Sequence, residues 1–223
     1  FRRRYEKPPG HQLTAGQELI RQRIAPFLLR RLKSHVLQEL PARTEIDLPI
    51  ELSPPEIGLY ERLRREAAEK LEKQGQKFEV LAHLTRLRQA CCHPSLVAPQ
   101  AGIASSKFQA LLELVENLRQ GRHRCLVFSQ FTSLLDLLQV ELQRHQITFL
   151  RLDGSTPAKR RGQFVQQFQE GAADLFLISL KAGGTGLNLT AADYVVHLDP
   201  WWNPASEDQA SDRAHRIGQH RPV

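Results

Sequence analysis

Apolar and polar positions follow different patterns in the two halves of this chain. From Ser105 onward, short apolar runs alternate with amphipathic stretches whose apolar residues recur every three to four positions. Wholly apolar runs are typical of buried parallel strands, and amphipathic stretches are typical of the helices that connect them. The second half therefore predicts an α/β fold, an open parallel sheet with helices on both faces. The predicted strands are 125–129, 148–152, 174–179 and 194–198.

The first half lacks this alternation. Residues 17–39 have helical spacing with a kink expected at Pro26, and residues 56–74 and 76–92 predict a helical hairpin inserted into the α/β domain. Its arginines are expected to be solvated: Arg62, Arg64, Arg65, Arg86 and Arg88. Residues 43–52 alternate with a period of two, which predicts a strand, and the proline within them favours a sheet edge.

A glycine-rich turn and a short helix stand out near the end of the chain. The turn, 182–189, lets backbone N–H groups approach an anion closely because its glycines carry no Cβ. The helix is predicted to begin at Pro204 and to stop before Gly218. Because an α-helix turns by about 100° per residue, this helix would place three polar side chains on one face: Gln209, Arg213 and Arg216. Such a face could bind phosphate oxygens through its guanidinium groups, or could be solvated and paired with nearby aspartates.

Three motifs in this region occur in a fixed order. They are Gly183-Gly184-Thr185-Gly186-Leu187-Asn188-Leu189, Trp202-Asn203-Pro204, and Gln209-Ala210-x-x-Arg213-x-His215-Arg216-Ile217-Gly218-Gln219. Together they resemble the SWI/SNF-type family of double-stranded-DNA translocases within helicase superfamily 2. The resemblance implies the C-terminal RecA-like lobe of a two-lobed motor, and hence part of a DNA-dependent ATPase. It implies four segments: 1–42, a basic linker and interlobe helix; 43–52, an edge strand of lobe two; 53–98, a helical protrusion; and 99–223, the RecA-like lobe itself.

The same resemblance implies roles for individual residues. Arg213 and Arg216 match arginine fingers that reach the γ-phosphate of ATP, with Gln209 and Gly186 beside the nucleotide. Arg30 and Arg31 match residues that join the two lobes. Contacts to the DNA backbone are expected at the carboxyl ends of the strands and along the glycine turn: Ser129, Gln130, Ser155, Thr156, Lys181, Gly183, Gly184, Thr185, Asn188 and Trp202. Ser155 and Thr156 could instead cap the helix that begins at Pro157, and Trp202 could pack beneath the surface.

Some parts of an ATPase are missing from the sequence. It contains no G-x-x-x-x-G-K-[ST] loop and no D-E-x-x box after a strand. We therefore expect ATP and Mg²⁺ to be held mainly by an absent first lobe, no metal site in this chain, and no ATP hydrolysis by the chain alone. Two alternatives remain open, the second lobe of an RNA helicase and a non-catalytic α/β interaction module. The Trp-Asn-Pro motif and the extended glycine turn disfavour the RNA helicase.

Composition adds little about fold but indicates partners. The net charge of +7 lies within residues 1–43, which hold ten basic and three acidic residues. Such a segment could bind DNA phosphates or serve as a solubilising linker. No apolar run approaches the length of a membrane span, and Cys91, Cys92 and Cys125 are expected as buried thiols in a reducing compartment. The absence of methionine suggests a piece of a longer protein, expected as a monomer in bacterial cytoplasm with the nucleoid, or in the nucleus of a eukaryote.

Overall fold

The chain divides between Glu39 and Leu40 into two compact units. A computed structural model describes residues 15–27, 40–74, 77–183 and 186–223. In the first unit, helix α1 spans Ala15–Ile24 and a 3-10 turn follows at Ala25–Phe27. The helix predicted over 17–39 is thus confirmed where it is described, and its proline lies in the 3-10 turn. Arg30 and Arg31 lie outside the described residues, so their interlobe role stays a prediction.

The second unit is built on a parallel sheet. Its strands are β1 (Cys125–Ser129), β2 (Phe149–Leu152), β3 (Leu175–Ser179) and β4 (Tyr194–His197). They lie in the order β2-β3-β1-β4, and every neighbouring pair is parallel. The predicted fold class is confirmed. Because all four strands run the same way, their carboxyl ends meet at one edge of the sheet, where sites form in open α/β sheets.

Helices connect and cover these strands. The second unit contains α2 (Pro54–Gln74), α3 (Lys77–Cys92), α4 (Ser106–Gln120), α5 (Thr132–Arg144), α6 (Ala158–Gln169), α7 (Leu180–Gly183) and α8 (Pro204–Ser211). Helix α4 begins where the hydroxyl of Ser105 accepts a hydrogen bond from the Phe108 amide at 3.3 Å. Helix α6 ends just before Gly171, whose φ of +90° is a left-handed conformation that suits glycine at a helix end.

Two apolar cores cover opposite faces of the sheet. Alternating side chains of β1 point to opposite faces, so that Cys125 and Val127 enter one core while Leu126 and Phe128 enter the other. Helices α4 and α5 close the first core, and α6, α7 and α8 close the second. The largest fully buried side chains are Phe128, Phe168, Phe176, Leu126, Leu134, Leu135, Leu138, Leu142, Leu152, Leu175, Leu177 and Ile178.

The helical hairpin of α2 and α3 is joined to the lobe by a buried carboxylate. Glu56, which is only 4% exposed, accepts hydrogen bonds from the Ser53 amide at 2.8 Å and the Ser106 amide at 3.0 Å. The hydroxyl groups of Ser53 and Ser106 donate to the same side chain. The carboxylate therefore lies at the N-termini of both α2 and α4, where negative charge is stabilised.

The predicted edge strand at 43–52 is wrong. Residues 40–53 form no strand, and Ile46 and Leu48 are 82% and 62% exposed. Val223 pairs with the start of this segment: its amide donates to the Ala42 carbonyl at 3.0 Å, and its carbonyl accepts from the Thr44 amide at 2.8 Å. Those two bonds have a parallel pattern, but one paired residue does not make a ladder.

The cysteines and the apolar segments follow expectation where they are described. Cys92 and Cys125 are buried and Cys91 is partly buried, all as free thiols. Burial raises the pKa of the Cys92 thiol to about 12, so it stays protonated and unreactive at neutral pH. In the described ranges, no helix combines the length and the apolarity that crossing a membrane requires.

Candidate nucleotide and nucleic-acid interface

Helix α8 begins as predicted but ends early. Asn203 caps it by accepting a hydrogen bond from the Ala205 amide at 3.1 Å, and Pro204 is its first residue. The helix ends at Ser211, six residues before Ile217. The carbonyl of Arg213 accepts from the Leu189 amide at 2.9 Å, so it is committed to the preceding loop. The prediction that Gln209, Arg213 and Arg216 share one helical face is therefore wrong.

Arg213 is buried although it carries a charge. Its side chain is 7% exposed, and its Nε atom is buried without a hydrogen-bond partner among the described residues. Burial and the neighbouring charge of Arg216 lower the pKa of this guanidinium from its ordinary value, while Asp212 opposes the change. A buried charge with an unpaired donor is costly to the fold. Such a group is expected where function requires it.

Arg216 is exposed and lies against the end of the glycine turn. Its Nη1 atom donates to the carbonyl oxygen of Gly186 at 3.5 Å, and Gly186 has a φ of +61°. The structure therefore brings together all three predicted nucleotide-binding residues, Gly186, Arg213 and Arg216. Gln209 is exposed on α8, one turn before Arg213. Gly183 is the last residue of α7, whereas Gly184 and Thr185 lie outside the described residues and stay predictions.

A second cluster surrounds Arg88, which projects from α3 of the hairpin. Its guanidinium carbon lies 4.9 Å from the centre of the Trp202 ring and 5.9 Å from that of Phe131. Its Nη2 atom donates to the carbonyl oxygen of Pro200, and its Nη1 atom donates to Gln130 Oε1 at 3.3 Å. The expectation that Arg88 is solvated is wrong. Trp202 remains 65% exposed, so the alternative that it packs beneath the surface is wrong.

Ser129 does not face solvent. It is fully buried, and its hydroxyl accepts from the Phe131 amide at 3.0 Å, closing the turn after β1. A DNA contact by Ser129 does not fit this arrangement. Asp199, also buried, accepts a hydrogen bond from the Gln130 backbone amide at 3.1 Å. Burial raises the pKa of its carboxyl group, although hydrogen bonds from Ser129 and Gln130 act to lower it. The Nε2 atom of Gln130 is buried without a partner among the described residues.

Ser155 and Thr156 serve a turn rather than a helix cap. Both bond to Asp153. The Ser155 amide donates to Asp153 Oδ1 at 2.9 Å, and the Asp153 amide donates to Thr156 Oγ1 at 3.1 Å. The hydrogen bond from the Ser155 hydroxyl contributes most to lowering the pKa of Asp153. Pro157 is the N-cap of α6 and makes no side-chain cap bond, so the alternative that Ser155 or Thr156 caps this helix is wrong. Candidate DNA contacts that stay exposed at this edge are Ser155, Lys181, Asn188 and Trp202.

Sequence reasoning missed the residues that hold these loops together. The side-chain amide of Gln219 donates to the carbonyl groups of Ala192 at 2.8 Å and Ala214 at 3.2 Å. It therefore ties the loop after the glycine turn to the segment that carries Arg213. Gln219 is the last residue of the third motif, but the spacing of residues does not indicate this contact. Arg88 was likewise hidden among several hairpin arginines.

Two family models match the chain. The model for the helicase conserved C-terminal domain matches residues 106–218, which is half of the chain and contains the sheet and both arginines. The model for the SNF2-related domain matches residues 1–96, which include the helical hairpin.

Individual proteins give the same result. A probable ATP-dependent DNA helicase of Arabidopsis thaliana, CHR23, is 41% identical over 90% of this chain and 20% of its own length. The human SWI/SNF-related matrix-associated actin-dependent regulator of chromatin subfamily A member 1 is 36% identical over 90% of this chain and 21% of its own length. The chain thus spans about a fifth of these relatives. The Sulfolobus solfataricus SWI2/SNF2 ATPase core in complex with dsDNA aligns with a TM-score of 0.70 and 27% identity, covering 95% of this chain and 46% of that one.

Proposed function

Because this chain belongs to the helicase conserved C-terminal domain family, as an SNF2-type lobe of superfamily 2, we propose a specific role for it. It is the second lobe of an ATP-driven double-stranded-DNA translocase, and it supplies arginine fingers to the nucleotide and contacts to the DNA backbone. The observation that carries this proposal is the assembly of Arg213, Arg216 and Gly186 at one edge of the sheet.

The chemistry of this assembly suits a phosphate. The charge of Arg216 lies close enough to contribute to lowering the pKa of the Arg213 guanidinium, and the Nε atom of Arg213 lacks a partner among the described residues. An incoming γ-phosphate would relieve the repulsion between the two cations and pair the orphaned donor. Arginine fingers of this kind act by stabilising charge in the transition state of phosphoryl transfer.

The residues present fit only one side of a nucleotide. The arginine pair can meet a terminal phosphate, but the described residues contain no group of three histidine, cysteine, aspartate or glutamate residues that could hold a metal ion. We propose that Mg²⁺ and most of the ATP bind to a first lobe of the same protein, which is the expected partner of this chain. We expect a monomeric motor in the bacterial cytoplasm with the nucleoid, or in the nucleus if the host is a eukaryote.

Duplex DNA is the proposed track. The exposed candidates Ser155, Lys181 and Asn188 would reach phosphates rather than base edges, so binding should be weakly sequence-specific and strongly salt-dependent. A relative solved with double-stranded DNA favours this polymer over RNA. If RNA stimulates the ATPase of the intact motor and duplex DNA does not, the RNA helicase alternative holds.

Arg216→Ala in the intact two-lobed motor tests the finger role. ATP turnover at saturating duplex DNA should fall by about 10³-fold, while DNA affinity stays within a few-fold. Arg144→Ala is the matched control, since Arg144 is an exposed arginine that pairs with Glu141 on α5. Near wild-type turnover in Arg216→Ala would refute the finger assignment. The chain without its first lobe should show no DNA-stimulated turnover, and robust turnover would contradict that expectation.

A further inference from the structure

The helical hairpin and the candidate DNA surface are linked through one side chain. Arg88 of α3 contacts the loop after β1 through Gln130 and Phe131, and the loop after β4 through Pro200 and Trp202. These partners lie 42 to 114 positions further along the chain. A single arginine therefore reaches the carboxyl ends of the two adjacent strands β1 and β4.

We propose that Arg88 is a positioning residue that orients Trp202 for contact with duplex DNA and fixes the adjoining turn at Gln130. The inference rests on the proposed function, because it assumes that Trp202 meets the DNA. Arg88 itself need not touch the DNA: it acts by holding the indole ring and the amide in one arrangement.

The geometry of Trp202 shows why such support matters. Most of the side chain is exposed, so few apolar contacts restrict its rotamers. The Arg88 guanidinium lies over the ring, with its carbon 4.9 Å from the ring centre, and the cation–π attraction favours this stacked position. A ring that is already ordered loses less conformational entropy when it binds, which increases affinity.

The second target of Arg88 is the turn that contains Gln130. The guanidinium bonds to Gln130 Oε1, which fixes the orientation of the amide. The backbone amide of Gln130 is held by Asp199, and the positive charge of Arg88 also acts to lower the pKa of that buried carboxyl group. Arg88 thus restrains the side chain and supplies favourable charge near the carboxylate that holds the backbone.

Only arginine fits this combination of contacts. Its planar group can stack on an aromatic ring with its face while its edge donates to two acceptors. Lysine keeps the charge but is a point donor, so Arg88→Lys should restore only part of the arrangement. This partial rescue separates positioning from a general need for positive charge.

The first experiment measures how accessible the Trp202 ring is to solvent. In a Trp201→Phe background, Trp202 is the sole tryptophan of the chain. Removing the guanidinium with Arg88→Ala should raise acrylamide quenching of Trp202 fluorescence by about twofold, because the ring face beneath the guanidinium becomes accessible. Arg88→Lys should fall between the two, and Arg86→Ala should match the parent, because Arg86 lies on the same helix and its recorded ion pair is a 4.0 Å contact with Glu66. Quenching that is identical in Arg88→Ala and the parent would overturn the proposal.

The second experiment measures the consequence in the intact motor. Arg88→Ala should raise the duplex concentration for half-maximal ATPase about tenfold, with turnover at saturating DNA within about twofold of wild type. The inference is overturned if Arg88→Ala changes the quenching of Trp202 but not the duplex concentration for half-maximal ATPase, while Trp202→Ala does change that concentration. If neither variant shifts it, the proposed DNA contact of Trp202 fails as well, and the loss of turnover in Arg216→Ala still tests the motor assignment separately. Arg88→Gln provides the same comparison if the alanine variant does not fold.

Discussion

Arg216 Nη1 donates to the carbonyl oxygen of Gly186 at 3.5 Å, so the exposed guanidinium of the candidate site is placed by the backbone of the glycine turn. That carbonyl is aimed by a left-handed backbone conformation, with φ of +61° at Gly186. The position of the side chain therefore depends on a conformation that residues other than glycine adopt with difficulty.

Gly186→Ala tests this dependence. No atom lies within 4 Å of an added Cβ, so the cost comes from the backbone alone and should be about 1 kcal/mol of unfolding free energy. Gly162→Ala is the matched control, because Gly162 lies inside α6 and an added Cβ there also has no atom within 4 Å. This substitution should stabilise the protein by about 0.5–1 kcal/mol. Urea denaturation measures both. Equal effects of the two substitutions would contradict the conformational explanation.

Arg213→Met should separate stability from function. Methionine matches the arginine side chain as far as Nε while removing a buried charge whose Nε atom has no partner among the described residues. The melting temperature should therefore be equal to or higher than that of wild type, since replacing poorly compensated buried charge is often neutral or stabilising. Turnover of the intact motor should be lost. Destabilisation by more than about 2 kcal/mol would show that Arg213 has a structural role instead.

Glu56→Gln should weaken the joint between the hairpin and the lobe. The amide that replaces the carboxylate accepts fewer of the four donors from Ser53 and Ser106, so we expect a loss of about 1–3 kcal/mol at neutral pH. Burial opposes ionisation of Glu56, but the hydrogen bonds from Ser106 and Ser53 outweigh it and lower its pKa below the ordinary 4.5. Unfolded chains bind the proton more readily, so this stabilisation is present above pH 4.5 and is lost as the pH falls through the folded-state value.

Chemical denaturation between pH 3 and pH 7 measures this effect. The difference between wild type and Glu56→Gln should shrink on acidification. Glu113→Gln on the exposed side of α4 is the control, and it should change little at any pH. A gap that stays constant from pH 7 to pH 3 would argue against an ionised Glu56.

His197 provides a second, separate pH dependence. It is stacked on Phe128 at 5.6 Å between ring centres, and its Nε2 atom lies 3.0 Å from Ser211 Oγ. Burial lowers its pKa below the ordinary 6.5, although Glu207 acts in the opposite direction. The unfolded chain therefore takes up a proton first, and stability should fall as the pH drops below about 6.5.

His197→Phe should remove this component and keep the stacking. We expect the slope of unfolding free energy between pH 5 and pH 6.5 to become shallower, with a change of no more than about 2 kcal/mol at pH 7.5. His145→Gln, an exposed histidine just after α5, is the control. An unaltered slope in His197→Phe would refute the assignment of this dependence to His197.

Local signals predicted the framework of this lobe well, and contacts between distant segments decided the rest. The apolar strands and the start of α8 at Pro204, after Asn203, depend on neighbouring residues, so they could be predicted from the sequence. Helix α8 ends early, at Ser211, and the carbonyl of Arg213 beyond it accepts from the Leu189 amide, a contact that no local pattern reveals. Likewise, alternation in 43–52 indicated a strand, but a strand also needs a partner along its length.

The candidate site follows the same division. The motifs identified Gly186, Arg213 and Arg216, and the structure brings these residues together. Burial was not foreseen, however, because the exposure of Arg213 and Ser129 depends on how the loops fold over them. Arg88 was missed for a related reason: the sequence of α3, which carries Arg86 and Arg88, gives no sign of which arginine meets an aromatic ring in a distant loop.

The central strands β1 and β3 are buried along their whole length between two cores. Shifting one of them would open packed apolar surface on both sides of the sheet, so the bases of the site loops keep fixed mutual spacing. Transitions between open and closed forms of a two-lobed motor would then turn this lobe as one rigid body, with bending confined to the segments outside the sheet. A pair of spectroscopic labels at the ends of β1 and β3 would report a constant separation throughout an ATP cycle.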